Sequence, residues 1–158
     1  MRGGPEVLLD SYQSERHPHA RAYVETAVRL GGLINTSGTA EALRDGFRQP
    51  DGSVKMESLA RPLGPGLGIE GDSHRGWLAP QPRLSDGRLL DDHTDNQMVL
   101  IVDQGLLVPL TTVQTLGTSG EPALAEMLRA LDTRAVLLRP DRHVFGTCLL
   151  YTSDAADE

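Results

Sequence analysis

Residues Gln49 to Pro80 constrain this chain most, because Pro50, Pro62, Pro65 and Pro80 and repeated glycines interrupt every short apolar run there. Proline removes a backbone donor and glycine favours turns, so no long helix or strand is expected to cross the segment. The chain must therefore organise as one patterned stretch before it and another after it. Leu59, Leu63, Leu67, Ile69 and Trp77 are expected to tie the segment down, since leaving such side chains in water is costly. It reads as a structured interdomain loop, not a disordered linker.

The first stretch carries helical periodicity. Leu8, Tyr12 and Glu15 lead to His17-Pro18, after which Ala20, Tyr23, Val24, Ala27, Val28, Leu30 and Gly31 recur at three- and four-residue spacing. Pro18 suits the first turn of a helix and would break a ladder inside one, so two helical pieces are expected. Gly31-Gly32 should weaken the second near its end. A third short helix is expected from about Thr39 to Phe47, capped by Thr39, with Ala40, Leu43 and Phe47 facing a core.

The second stretch reads as a small α/β unit. Pro82-Arg83-Leu84 leads into a turn at Ser85-Asp86-Gly87-Arg88, then Leu89-Leu90-Asp91. Met98 to Val102 is a buried-strand candidate, and Leu106 to Leu110 is a weaker one because Pro109 lacks a ladder donor. Glu121 to Leu131 should be a helix with Leu124, Met127, Leu128 and Leu131 on one stripe. Ala135 to Arg139 should be a strand, followed by a turn at Arg139-Pro140-Asp141-Arg142 and then His143-Val144-Phe145-Gly146. So few strands leave sheet edges that need a partner or a continuation.

Composition excludes several function classes. The net charge is −7 with no Lys/Arg block to offset it, which disfavours nucleic acid and anionic membranes as partners. No apolar run approaches the ~20 residues that span a bilayer, and the first residues lack the layout of a signal peptide. The single cysteine, Cys148, permits no internal disulfide and no dithiol chemistry. A soluble cytoplasmic protein is the default expectation, with self-association left open.

Three patterns resemble functional motifs. Gly66-Leu67-Gly68-Ile69-Glu70-Gly71 matches the dinucleotide G-x-G-x-x-G letter for letter. That motif works only between a strand and a helix whose N-terminus meets the pyrophosphate, and Arg61-Pro62-Leu63-Gly64-Pro65 before it is no strand. Asp72-Ser73-His74 holds nucleophile and base types, but adjacent residues seldom aim at one another and no nucleophile-elbow glycines surround Ser73. Asp91, Asp92, His93 and Asp95 form an irregular acidic cluster, and His17 and His19 flank Pro18 without sharing a helical face, so no metal-ligand spacing is present. No catalytic, cofactor-binding or metal-binding residue is assigned.

The segment Leu8-Leu9-Asp10-Ser11-Tyr12-Gln13-Ser14-Glu15-Arg16-His17-Pro18-His19-Ala20 resembles one shared by class A flavoprotein aromatic monooxygenases, where it belongs to the closing helices of the FAD domain. Ala79-Pro80-Gln81-Pro82-Arg83-Leu84, Asp86-Gly87 and Leu89-Leu90-Asp91-Asp92 resemble the entry to the thioredoxin-like C-terminal domain of the phenol and 3-(3-hydroxyphenyl)propionate hydroxylase branches. Ala135-Val136-Leu137-Leu138-Arg139-Pro140-Asp141-Arg142-His143-Val144 resembles that domain's late strand-turn-strand, closest to the second branch. The resemblance implies an NAD(P)H-dependent parent enzyme in which reduced FAD activates oxygen and delivers one atom to a small phenolic substrate.

The departures set the expected organisation. The nucleotide-binding strand and loop, the GD-x-x-H segment expected before Leu8, and the substrate-domain sheet are not in this sequence. The chain is thus expected to be an α/β fragment: closing helices of an FAD-binding domain at 1–48, a Gly/Pro-rich interdomain segment at 49–80, and a truncated thioredoxin-like domain at 81–147. Residues 148–158, Cys148-Leu149-Leu150-Tyr151-Thr152-Ser153-Asp154-Ala155-Ala156-Asp157-Glu158, resemble a translated sequencing-library adapter and are read as foreign. FAD and NAD(P)H are implied for the parent, with neither expected to bind this piece stably. The competing expectation is a noncatalytic thioredoxin-like binding or assembly protein.

Overall fold

The computed structural model describes residues 6–54, 60–106 and 112–148. They form two compact units, Met1–Gly66 and Leu67–Glu158, so the division falls inside the 49–80 segment. No helix among the described residues is long and apolar enough to cross a membrane.

Unit 1 is built on α1, Glu6–Ser37, a helix of 32 residues with Pro18 inside it. The expectation of two helical pieces is corrected here. Pro18 cannot donate to the carbonyl of Ser14, and its ring displaces the carbonyls of that turn. The segment 60–66 lies against this turn, where Gly64 N–H donates to the neighbouring Glu15 carbonyl at 2.8 Å. A Cβ at Gly64 would sit 2.3 Å from both the Ser14 carbonyl oxygen and Pro18 Cγ, so only glycine lets the strand of chain come this close. The helix runs on past Gly31-Gly32 for five residues, to Ser37. The short α2, Ala40–Asp45, begins as expected at Thr39, whose side chain accepts from Ala42 N–H at 3.2 Å. Ala40, however, is exposed and Phe47 only half-buried.

Unit 2 contains α3 (Asp91–Thr94), β1 (Val99–Val102), β2 (Gln114–Gly117), α4 (Pro122–Ala130), β3 (Ala135–Leu138) and β4 (Val144–Cys148). The sheet order is β2-β1-β3-β4. β1 runs parallel to β2 and antiparallel to β3, and β3 runs antiparallel to β4 with an irregularity between Leu137 and Leu138. The apolar run at 99–102 is buried along its whole length because both sheet faces are covered. Val99 and Ile101 join Leu124, Met127 and Leu128 of α4, together with Leu90, Val136, Leu138 and Val144, in the main core. Leu100, Val102 and Ala135 form a smaller cluster on the other face.

Pro122 starts α4 where a missing N–H costs nothing, and the buried stripe Leu124, Met127, Leu128 matches expectation. The strand β2 was not expected. The weaker candidate at Leu106 to Leu110 falls mostly outside the described residues, as does Leu59. Cys148, placed by sequence in the tail, pairs opposite Ala135 as the last residue of β4, while 149–158 lie outside the described residues.

The loop after Gly66 is held by backbone bonds. Ile69 N–H donates to the Phe145 carbonyl, Gly76 N–H to Val144, and Ala79 N–H to Arg142, while Val144 N–H donates to Trp77, all at 2.8–3.0 Å. Thus this stretch edges β4 like an irregular extra strand. Trp77 is 39% exposed and Ile69 47%, which corrects the expectation that their burial anchors the segment. Leu63 alone of the described anchors is buried.

Candidate functional site

The glycine loop is the first candidate, and its geometry does not suit a dinucleotide. Residues 60–65 before it are irregular, and 72–76 after it are turns, not a helix. Glycine earns its place by close approaches to protein atoms. A Cβ at Gly66 would lie 2.1 Å from Glu15 Cγ and 2.3 Å from Glu15 Oε1. A Cβ at Gly68 would lie 2.7 Å from the Phe145 carbonyl oxygen. At Gly66 the neighbour is a carboxylate, and a pyrophosphate brought there would meet negative charge instead of helix-terminal N–H groups. The 66–71 loop therefore does not fit the phosphate end of FAD or NAD(P)H.

Asp72-Ser73-His74 comes together in space but not as a relay. Ser73 Oγ lies 3.5 Å from His74 Nδ1, and Asp72 Oδ1 lies 3.8 Å from the same nitrogen. A nucleophile-base-acid relay uses the two ring nitrogens separately, one toward each partner. Here both partners address one. Asp72 is instead a clasp: its Oδ2 accepts from Thr147 N–H and, at 2.8 Å, from Thr147 Oγ1, while Oδ1 accepts from His74 N–H at 2.7 Å. Burial pushes the Asp72 carboxyl up, but these donors and the His74 ring outweigh it and hold the pKa below its ordinary value. This role was invisible in the sequence, because Thr147 is 75 positions away.

The acidic cluster also disperses. His93 Nε2 pairs with Asp86 at 3.2 Å, Asp92 Oδ2 accepts from Leu89 N–H at 3.0 Å, and Asp91 pairs with Arg142 at 3.7 Å. Among the described residues no group of three or more His, Cys, Asp or Glu side chains could hold a metal ion.

Two features were not singled out from sequence. On the β3–β4 turn, Asp141 Oδ2 lies 3.2 Å from Arg139 Nη2, and Asp141 Oδ1 lies 3.4 Å from Nδ1 of the buried His143. Burial raises the Asp141 carboxyl, yet His143 and Arg139 together hold it far below the carboxylate range. The closeness of Arg139, Asp141 and His143 within one short turn was the available signal. In unit 1 a groove of about 270 Å³ is lined by Ala22, Glu25, Thr26, Arg29 and Arg61. Its carboxylate, Glu25, accepts from Arg21 at 2.7 Å, and its hydroxyl, Thr26, donates to the Ala22 carbonyl at 2.8 Å. The groove presents guanidinium groups and no activated nucleophile.

No protein-family model matches the chain. Over 42 residues it is 45% identical to a probable NADH-specific resorcinol 4-hydroxylase from Rhodococcus jostii (strain RHA1). That stretch is 27% of this chain and 8% of the hydroxylase, a distant homology over a small part of the relative.

Proposed function

We propose that this chain is part of a flavin-dependent aromatic hydroxylase whose complete form uses FAD, NAD(P)H and O2 to hydroxylate a small phenolic substrate. The observation that carries this is the match at 45% identity to a hydroxylase named for a phenolic ring. The Leu8 to Ala20 segment, which resembles the closing helices of such enzymes, supports the same reading. In this reading unit 1 supplies closing helices of the FAD domain and unit 2 a thioredoxin-like part. The parallel β1–β2 pair continued by the antiparallel β3–β4 hairpin, with α4 packed on the sheet, supports the second assignment.

The role of these residues is packing. With Glu15 at Gly66 and no nucleophile arranged for transfer among the described residues, this reading gives the chemistry to other residues of the hydroxylase, with the cofactor supplying the oxygen activation. Having one cysteine, unit 2 cannot exchange a dithiol.

Two measurements test this. A chimera of the Rhodococcus hydroxylase carrying this chain's homologous stretch should retain flavin absorbance after gel filtration and oxidise NADH when resorcinol is added. A folded chimera lacking both would overturn the homology argument. The present chain, mixed with FAD and gel-filtered, should emerge colourless, and stoichiometric flavin would show that the cofactor site lies within it. The alternative of a noncatalytic binding or assembly protein draws on the continuous core of unit 2, and a specific partner captured at defined stoichiometry, with an inactive chimera, would favour it.

A further inference from the structure

An aspartate followed by glycine can rearrange its own backbone, because glycine puts no Cβ between its peptide nitrogen and the preceding carboxyl. The chain holds three such pairs: Asp45-Gly46, Asp51-Gly52 and Asp86-Gly87. The first is helical. Asp45 ends α2, and Gly46, at φ −63°, donates its N–H to the Ala42 carbonyl. The other two occupy matching turns. Gly52 has φ +83° and Gly87 φ +84°, and their N–H groups donate to the Gln49 and Leu84 carbonyls, each at 2.9 Å. In both turns the aspartate Oδ1 accepts from the N–H two residues on at 2.9 Å, Ser53 after Asp51 and Arg88 after Asp86. That bond folds the carboxyl back over its own peptide unit.

What differs is the second partner of the carboxylate. At Asp51 it is the Ser53 hydroxyl, at 2.6 Å. At Asp86 it is His93 of α3, whose Nε2 lies 3.2 Å from Oδ2 and 3.3 Å from Oδ1. The Asp86 side chain is 46% exposed and the His93 side chain 24%, so water reaches the pair. The Arg88 N–H and then His93 hold the Asp86 carboxyl below its ordinary value, as Ser53 does for Asp51, and both are ionised at neutral pH. A carboxylate oxygen can then leave only when a proton is delivered to it. A serine hydroxyl gives up none near neutrality, whereas an imidazolium does.

We infer that Asp86-Gly87 is a self-modification site that isomerises to isoaspartate, with His93 as the proton donor. The Gly87 nitrogen bonds to Asp86 Cγ as one carboxylate oxygen departs. That oxygen takes one proton from the Gly87 N–H and one from the His93 imidazolium and leaves as water, giving a five-membered imide. Water then adds at the imide carbon that was the Asp86 main-chain carbonyl. The C–N bond there breaks, the nitrogen regains a proton, and the new carboxyl returns the other to His93. Nothing is oxidised and the mass is unchanged. The added backbone carbon falls in a turn closed by Leu84 N–H on the Arg88 carbonyl at 2.8 Å and by the Arg83–Leu89 bridge, between the buried Leu84 and Leu90. Isomerised chains should therefore unfold more readily than fresh ones.

Peptide mapping of the full chain after incubation at body temperature and neutral pH, with isoaspartate labelled by a protein isoaspartyl methyltransferase, tests this inference. Asp51 is the internal control. Isoaspartate should form about tenfold faster at Asp86 than at Asp51, short of the ~100-fold that a fully positioned general acid gives. His93→Gln keeps a hydrogen-bond donor without a transferable proton, so it should bring Asp86 down to the rate of Asp51 with circular dichroism unchanged. In urea, where the turn is lost, the two sites of the wild type should react at similar rates. Equal or faster reaction at Asp51 in the folded chain, a rate at Asp86 unmoved by His93→Gln, or a preference for Asp86 that persists in urea would each overturn the inference.

Discussion

Replacing Asp72 with alanine should destabilise unit 2 more than any other change to a surface-loop residue. The carboxylate accepts from Thr147 N–H, Thr147 Oγ1 and His74 N–H, and its side chain is only 6% exposed. Hydrogen bonds to a charged group contribute about 1.5–3 kcal/mol each at most, and water recovers part of that once β4 loosens at Thr147. Two of the three donors are backbone N–H groups whose only described acceptor would vanish, so a net loss of about 2–3 kcal/mol is expected. For a unit of this size that corresponds to roughly 10–20 °C in Tm. Urea unfolding followed by circular dichroism at neutral pH measures it, with Ser73→Ala as the internal control. A loss below about 0.5 kcal/mol for Asp72→Ala, or an equal loss for Ser73→Ala, would refute the clasp.

Acid should weaken unit 2 through Asp72 and Asp141, whose folded pKa values both lie below their unfolded ones. Their contribution is complete above the ordinary carboxylate pKa and is lost as pH falls through the lowered folded values, so Asp72→Asn/Asp141→Asn should flatten the acid limb of a stability-against-pH curve. Gly64→Ala should cost more than Gly146→Ala. The first Cβ meets the Ser14 carbonyl at 2.3 Å, a rigid obstacle, whereas the second meets Ile69 Cδ1 at 2.3 Å on a side chain 47% exposed. Ile69→Ala, which removes Cδ1 and Cγ1 but keeps the Cβ at 2.9 Å, should relieve Gly146→Ala in part in a double-mutant unfolding cycle and leave Gly64→Ala unrelieved. Ile101→Ala, at a site with 0% exposure between sheet and α4, should cost about 2–5 kcal/mol by the same assay.

Elements whose burial is written into consecutive residues were readable in advance. Val99 to Val102, Ala135 to Leu138 and the stripe of α4 are apolar at strand or helix period, and the structure buries them. The strand β2 was not readable: Gln114-Thr115-Leu116-Gly117 is mostly polar and exposed, and it becomes a strand only through pairing with 99–102. Pro18 did not end the helix, and the segment packed beside it comes from Gly64, 46 positions further on, which no local rule can see. Trp77 and Ile69 are large yet exposed, because backbone bonds to β4 and not side-chain burial do the anchoring. At the candidate sites, the letters of G-x-G-x-x-G and Asp-Ser-His carried less information than their surroundings. Chain context already argued against both, and the structure adds what occupies the space: Glu15 beside Gly66, and Thr147 on Asp72.

The central claim is that these residues belong to a larger flavin-dependent hydroxylase. Sequencing the source DNA across both sides of the coding segment tests it most directly. The account predicts an FAD domain encoded in the same frame, with its GD-x-x-H segment shortly before Leu8. A gene that encodes these residues without an FAD domain in the same frame would contradict it.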